Sequence, residues 1–211
     1  KDVGVDNNGN IYALQGGDTD IVEKYDSSGN LISTQTISDV GSLSVANNKV
    51  YVTIKTNGVN DGVRILDTSL NQIQFISTFN PGVVTADSSG NIYVYKVVYD
   101  SSGSLTDALI QKYSSSGSLI LEFGGGCVNA ATGCHGELGK LSSQIFGMGV
   151  DSSGNIYAAE HGNKRIQVLD SSGNLVRWFG DVGSGLGQFG SLNDVTVDSA
   201  GNIYVADGDN N

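Results

Sequence analysis

The residues with the clearest chemical potential in this 211-residue sequence are two cysteines, Cys127 and Cys134, and the adjacent His135. Two thiolates and an imidazole can bind a metal, but a structural zinc site takes four ligands and this spacing differs from the usual C-x2–4-C pattern. The alternative is a disulfide that closes a surface loop. We expect the disulfide, which implies an oxidising compartment: the extracellular space, the cell surface or the periplasm.

A second group of candidates is ionisable. Glu160 precedes His161, and such a pair can act as general acid and base; we expect an exposed loop pair instead. Five aspartates could gather as a calcium or zinc site or stay solvated as single loop acids. They are Asp18, Asp20, Asp61, Asp207 and Asp209. The sequence contains no G-x-S-x-G elbow and no phosphate-binding loop. We therefore assign no catalytic residue, no metal ligand and no cofactor.

The elements that position these residues are indicated by a repeated pentapeptide, DSSGN. It occurs at 26–30, 87–91, 151–155 and 170–174, with the near-copies DNNGN at 6–10 and DSAGN at 198–202. Several copies are followed by Ile-Tyr, and a degenerate copy ends in Val-Tyr. The tyrosines are Tyr12, Tyr51, Tyr93, Tyr157 and Tyr204. A repeat of about 40 residues is typical of solenoids and propellers.

Each repeat divides into four short segments, which we label strands a to d. In the fourth repeat they are GMGVD, IYAAE, IQVLD and LVRWFG. Their length, their alternation and their content of Val, Ile and aromatic residues predict β-strands. Four strands per repeat predict a β-propeller blade. DSSGN then joins a to b and c to d as a hairpin turn, which Asp and Gly-Asn favour. With one carboxylate and no bidentate Glu, it is a poor calcium loop.

The sequence therefore predicts an all-β propeller with four full blades and half of a fifth. The predicted blades cover about 1–38, 39–80, 81–124, 145–180 and 190–211, with a cysteine-containing insertion at 124–144. The net charge is −11, which disfavours nucleic acid and anionic membrane surfaces as partners. No apolar run reaches the roughly 20 residues of a membrane span.

The fourth repeat and the opening of the fifth resemble the NHL repeat. They read GVDSSGNIYAAEHGNKRIQVLDSSGNLVRWFG at 149–180 and GQFGSLNDVTVDSAGNIYVADGDNN at 187–211. The resemblance implies a propeller, usually of six blades, and a pairing of the acid that ends strand b with the Arg that opens strand c, here Glu160 and Arg165. We expect the chain to be part of a larger propeller, since a stable propeller closes its ring. The alternative is an open arc that another chain completes.

Sequence variety is confined to one face of the predicted blades. The a–b and c–d turns share one face, so the b–c and d–a connections share the other, which we call the loop rim. It comprises the b–c loops 15–20, 54–62, 95–107 and 160–164, and the d–a loops 124–144 and 181–190. Function on such scaffolds concentrates where loops differ. Asp18, Asp20, Asp61, Glu160, His161, Arg165, Asp207 and Asp209 are the candidate binding residues of this rim.

Three functions fit these features. The first, which we favour, is an extracellular or cell-surface binding module that presents the loop rim to a protein or glycan. The second is a propeller enzyme similar to the amidating lyases, streptogramin lyases or gluconolactonases, which use a metal near the axis. The third is a structural subunit of an extracellular assembly, in which a neighbour adds strands to the half blade.

Overall fold

The computed structural model describes residues 2–16, 19–56, 58–125, 138–142 and 144–210, which form β-strands, turns and loops. Within these ranges, no helix is long and apolar enough to cross a membrane. The chain divides into two compact units. One contains residues 1–94 and 113–118, and the other contains residues 95–112 and 119–211.

The first two sheets are four-stranded and antiparallel, with the strands in sequence order. The first contains β1 (Asp2–Val5), β2 (Ile11–Gln15), β3 (Ile21–Tyr25) and β4 (Leu31–Thr36). The second contains β5 (Val40–Ala46), β6 (Lys49–Ile54), β7 (Gly62–Leu66) and β8 (Gln72–Ser77).

The third and fourth sheets keep this four-stranded order. The third contains β9 (Pro81–Ala86), β10 (Ile92–Tyr99), β11 (Leu105–Tyr113) and β12 (Leu119–Phe123). The fourth contains β13 (Ile145–Val150), β14 (Ile156–Glu160), β15 (Arg165–Leu169) and β16 (Leu175–Phe179).

Two smaller sheets follow. The short strands β17 (Asp181–Val182) and β18 (Gln188–Phe189) pair in parallel, and β19 (Leu192–Val197) pairs with β20 (Ile203–Asp207) in an antiparallel hairpin. The prediction of four full four-stranded blades and half of a fifth is confirmed.

One predicted loop is wrong. Residues 95–107 were expected as an irregular b–c loop, but β10 continues to Tyr99 and β11 begins at Leu105. Only residues 100–104, DSSGS, form the turn, in which the Asp100 N–H donates to the Ser104 carbonyl. The period-2 pattern of KVVY is that of a strand, although the repeat places a loop there. A turn similar to the DSSGN turns closes this longer hairpin.

The DSSGN turns share one hydrogen-bond pattern, seen at Asp6. Its Oδ1 accepts the N–H groups of Asn8 and Asn10 at 2.9 and 3.0 Å. Its carbonyl accepts the N–H of Gly9, whose φ of 79° is in the left-handed region that glycine adopts without strain. Carboxylate and backbone thus satisfy each other within the turn, which confirms the hairpin prediction.

In the a–b turns the same carboxylate also accepts a hydrogen bond from a tyrosine hydroxyl. The Tyr12 hydroxyl donates to Asp6 Oδ2 at 3.0 Å, and the Tyr93 hydroxyl donates to Asp87 Oδ2 at the same distance. Burial, together with this bond to Asp6, raises the pKa of Tyr12. The Ile-Tyr dipeptide after each turn therefore ties strand b to the turn that precedes it.

Each unit has its own apolar core. In the first unit, Tyr12, Leu14 and Val22 of the first sheet pack with Leu43, Val52 and Leu66 of the second. In the second unit, Tyr157, Ala159 and Ile166 pack with Leu192 and Val195. The apolar residues alternate along their strands, as expected of sheets that pack face to face.

One face of the first sheet is left apolar and exposed. Val3 and Val5 of β1 are 63% and 57% exposed, whereas Leu43, at the position of β5 equivalent to Val3, is 3% exposed. Gly4 faces the other way, toward Val45, and a Cβ at Gly4 would lie 2.6 Å from a Val45 methyl carbon. The absence of a side chain there lets the first two sheets approach closely.

Candidate functional site

The b–c loop of the fourth sheet is organised by Glu160, which is completely buried. Its Oε2 accepts a hydrogen bond from Arg165 Nε within a buried ion pair, and its Oε1 accepts the Ser142 N–H at 2.8 Å. Asn163 Nδ2 adds a bond of 3.3 Å to Oε2. The structure thus contains the pairing that the NHL resemblance implies. The carboxylate holds the loop and the chain entering β13 together.

Asp61 plays the same part in the second sheet, directly before β7. Its Oδ1 accepts the N–H groups of Thr56 and Gly58 at 2.7 and 3.1 Å, and its Oδ2 accepts the Asn80 N–H at 2.8 Å. Burial pushes the pKa of Asp61 up, but the hydrogen bonds from Asn80, Gly58 and Thr56 outweigh it and hold the pKa below its usual value. A buried carboxylate thereby holds Thr56 and Gly58 in place before β7.

Asp20 and Asp207 complete this set of backbone-binding acids. Asp20 Oδ2 accepts the Val40 N–H at 2.9 Å. Asp207 accepts the N–H groups of Ser191 and Gly190 at 2.7 and 2.9 Å, and the bond from Ser191 is the main reason that its pKa is lowered. The expectation of solvated loop acids is wrong for Asp20 and Asp61, which are 8% and 4% exposed. Asp209 is exposed, beside Gly190.

His161 is held by its surroundings and is only partly exposed. Its Nδ1 lies 3.0 Å from the Leu192 carbonyl, so Nδ1 carries the proton, because a carbonyl only accepts. Its ring lies 4.5 Å from that of Phe146, centroid to centroid. Its backbone N–H donates to the Gln144 carbonyl. Glu160, His161 and Arg165 therefore lie together around one b–c loop, while Asp20 and Asp61 bind other segments. The expectation of an exposed Glu-His pair is wrong, because Glu160 is fully buried.

Several predicted residues lie outside the described residues: Asp18, Cys127, Cys134 and His135. The expected disulfide therefore stays a prediction. In the part of the chain that the structure describes, no group of three or more His, Cys, Asp or Glu side chains could hold a metal ion.

A groove of about 480 Å³ opens beside the rim of the second sheet. One wall is the segment that leaves β4, and the other is the second sheet with its b–c loop. The lining residues are Thr36, Ile37, Ser38, Asp39, Ile54, Thr56, Asn60, Arg64, Gln72 and Phe75. We call it the rim groove. Its volume is in the range of pockets that hold small molecules.

Arg64 is the cation of the rim groove. It is the third residue of β7 and lies opposite Phe75 of β8 and Val52 of β6. Among the described residues, its Nε is the buried side-chain nitrogen or oxygen that lacks a hydrogen-bond partner. Buried polar groups in native proteins nearly always have a partner, so an exception calls for an explanation.

Phe75 supplies an aromatic surface next to this cation and is 39% exposed. Its ring lies over Gly62, where an added Cβ would come within 2.6 Å of the Phe75 Cζ. The glycine therefore makes room for the ring at the start of β7. Arg64 and Phe75 form a directly opposed pair, whose Cβ atoms lie about 5 Å apart in antiparallel sheets.

Neither the rim groove nor Arg64 was predicted from the sequence. The signal lies in an alignment of the c strands, where Gln111 and Gln167 occupy the position of Arg64. Gln167 is fully buried, accepts the Gly139 N–H at 2.8 Å and donates to the Lys140 carbonyl at 2.6 Å. Glu23 of the first sheet occupies the same position and accepts the Tyr25 hydroxyl at 2.8 Å. Arg64 therefore differs from its equivalents in being a cation whose Nε lacks a hydrogen-bond partner among the described residues.

Comparison with curated sequences gives one kind of relative. The chain is 26% identical over 143 residues to the human NHL repeat-containing protein 3, a match that covers 58% of this chain and 37% of that protein. No family model matches the chain.

Solved structures give relatives of the same architecture. Virginiamycin B lyase from Staphylococcus aureus superposes with a TM-score of 0.63 at 12% identity, over 98% of this chain and 62% of that one. A gluconolactonase from Xanthomonas campestris gives 0.60 at 14% identity, over 98% and 68%. A luciferin-regenerating enzyme gives 0.62 at 12% identity, over 98% and 68%.

The four-stranded sheets and these structural relatives define the chain as a β-propeller. The repeat sequence and the human relative support a propeller of the NHL type. The chain spans 37% of the length of the human relative and 62% of the lyase chain.

Proposed function

We propose that this propeller is a non-enzymatic binding module that holds a protein or glycan partner at its loop rim, outside the cell or on its surface. The observation that carries the proposal is the rim groove, a concave and polar site of about 480 Å³ beside loops that buried carboxylates hold in place.

The fixed loops support this function. Asp61 binds three backbone N–H groups of its own loop and of the chain that enters β9, and Glu160 binds Arg165 and Ser142 in the same manner. A surface that is already ordered loses less conformational entropy when a partner binds. The candidate acids thus hold the loops in place through hydrogen bonds, and the exposed side chains of these loops contact the partner.

The direct test is a binding screen with matched variants on the two faces. The intact protein is applied to a glycan array and to immobilised extracellular proteins, and each hit is measured again with Asn60→Arg in the rim groove and with Ser28→Arg in an exposed DSSGN turn. We expect Asn60→Arg to weaken binding at least tenfold and Ser28→Arg to leave it unchanged. The reverse pattern would contradict the proposal.

Elemental analysis separates this function from the enzymatic alternative. The protein is dialysed against buffers with calcium or zinc, and its bound metal is measured with and without His161→Ala. We expect the variant and the parent protein to hold the same amount of metal, because no group of three or more His, Cys, Asp or Glu side chains in the described part of the chain could hold a metal ion. One equivalent of metal that His161→Ala removes would favour a metal-dependent enzyme.

A further inference from the structure

We infer that the rim groove is a site for a single uronate residue of a glycan, with Arg64 binding the carboxylate and Phe75 packing against the sugar ring. The inference rests on the proposed function and narrows the partner at the same site. It requires a ligand that bears one carboxylate and several hydroxyl groups.

The carboxylate is inferred from Arg64. No hydrogen bond or ion pair engages its guanidinium among the described residues, and its Nε is buried without a partner. The terminal nitrogens are therefore free to donate, and guanidinium groups bind carboxylates through paired hydrogen bonds. The equivalent Gln167 instead uses its amide to bind Gly139 and Lys140. Arg64 thus lies at a position where the equivalent side chain of the fourth sheet has its hydrogen-bond partners within the protein.

The hydroxyl groups are inferred from Asp39 and the neutral polar lining. A carboxylate such as that of Asp39 only accepts hydrogen bonds, so it favours ligand hydroxyls and repels a second ligand carboxylate. The Asn60 and Gln72 amides can both donate and accept, as hydroxyl-rich ligands require. Asp39 and Arg64 share the groove without an ion pair between them. One acid group and several hydroxyls match this lining better than an acidic peptide does.

We infer that the ligand has a sugar ring from Phe75. We infer that the site holds one sugar residue from the net charge of the protein and the volume of the rim groove. The partly exposed face of Phe75 offers apolar surface beside the cation, and ligand pockets commonly combine an aromatic wall with a few polar groups. A net charge of −11 repels long polyanions, which argues for one uronate at a time. A volume of about 480 Å³ lies in the lower half of the range for small-molecule pockets, which agrees with one sugar residue.

The test is calorimetric titration of the intact protein with galacturonate and with galactose, which differ only at the carboxylate. We expect galacturonate to bind at least tenfold more tightly than galactose. Arg64→Gln is expected to remove that difference, since a hydrogen bond to a charged group corresponds to about 10- to 100-fold in affinity. Arg177→Gln, an exposed arginine on β16, is the matched control and is expected to change nothing.

Stability separates a ligand-binding role for Arg64 from a structural one. Because its guanidinium has no partner among the described residues, Arg64→Gln is expected to leave the urea midpoint unchanged or to raise it, and the variant is expected to remain folded for the titration. Equal affinity for galacturonate and galactose, or galacturonate binding that survives in Arg64→Gln, would overturn the inference. Tighter binding of a glutamate-rich peptide than of galacturonate would overturn it as well.

The proposed function has a separate outcome. If a partner found on the arrays is lost with Asn60→Arg while galacturonate fails to bind, the loop rim is still the binding surface and only the uronate assignment is wrong. If the arrays yield no partner that Asn60→Arg weakens, the proposed function itself fails.

Discussion

Arg64 and Gln167 occupy the same position, the third residue of strand c, in the second and fourth sheets, and only Gln167 is bound to the chain around it. Its amide holds Gly139 and Lys140 at 2.8 and 2.6 Å, whereas no described residue forms a hydrogen bond or ion pair with the Arg64 guanidinium. In the fourth sheet, Gln167 thereby closes the space between the blade and the segment before it. In the second sheet that space is the rim groove.

Substitution at these two positions is expected to have unequal effects. Gln167→Ala leaves a buried N–H and a carbonyl unpaired and should lower the free energy of unfolding by about 1–3 kcal/mol. Arg64→Ala removes a guanidinium to which no described residue bonds, and its effect should stay within about 0.5 kcal/mol. Urea unfolding followed by tryptophan fluorescence and circular dichroism measures both. A larger loss for Arg64→Ala would mean that the arginine is structural.

The tyrosine of the a–b turn provides a second matched pair. Tyr12→Phe removes the hydroxyl that donates to Asp6 in a fully buried setting and should cost about 1 kcal/mol in unfolding free energy. Tyr204→Phe removes the same bond, to Asp198, where the tyrosine is 57% exposed, so the loss should be smaller because water replaces the hydroxyl. Equal losses at the two positions would show that burial does not set the strength of this bond.

The buried ion pair of the fourth sheet can be tested by a double-mutant cycle. Arg165→Met leaves the fully buried Glu160 carboxylate without its cation and should lower the free energy of unfolding by about 3–5 kcal/mol. Adding Glu160→Gln should recover part of this loss, because the glutamine carbonyl can still accept the Ser142 N–H. A double variant less stable than Arg165→Met would contradict the assignment.

Acid should destabilise the protein. The pKa values of Asp61 and Asp207 lie below their usual value in the folded chain because backbone N–H groups bind the charged carboxylates. A depressed folded-state pKa gives stability that is present above the unfolded-state pKa, near 3.9, and is lost as the pH falls through the folded-state value. The pKa of Asp2 is raised by burial and opposes this trend.

We therefore expect the urea midpoint to change little between pH 7 and about pH 5 and to fall below about pH 4. The Asp61→Asn variant should begin less stable at pH 7 and show a shallower fall. A midpoint that rises on acidification would mean that the carboxylate hydrogen bonds do not favour the folded state.

The repeated elements were predictable because each depends on local rules. Alternating Val, Ile and Tyr predict strands, and Asp with Gly-Asn predicts the turns that Asp6 and its equivalents form. The Tyr12 bond to Asp6 was not predicted, although the constant spacing of six residues between Asp and Tyr is visible in the sequence. That spacing can be interpreted only when the hairpin is known, because the hairpin brings the tyrosine hydroxyl back to the turn.

The site was less predictable because burial in the rim depends on packing between distant segments. Asp20 and Asp61 look like solvated loop acids, and their backbone partners, Val40 and Asn80, lie about 20 residues further along the chain. The rim groove needs residues of two sheets, and no single repeat contains it. Arg64 could have been noticed only by comparing it with its equivalents Glu23, Gln111 and Gln167.

The most direct test of the central claim, that this propeller binds its partner in the rim groove, is chemical-shift mapping of the 15N-labelled protein titrated with galacturonate. We expect saturable shifts of backbone amides at Asp39, Asn60 and Arg64, with the DSSGN turns unchanged. Saturable shifts confined to those turns, or no saturable shift anywhere in the protein, would contradict the account.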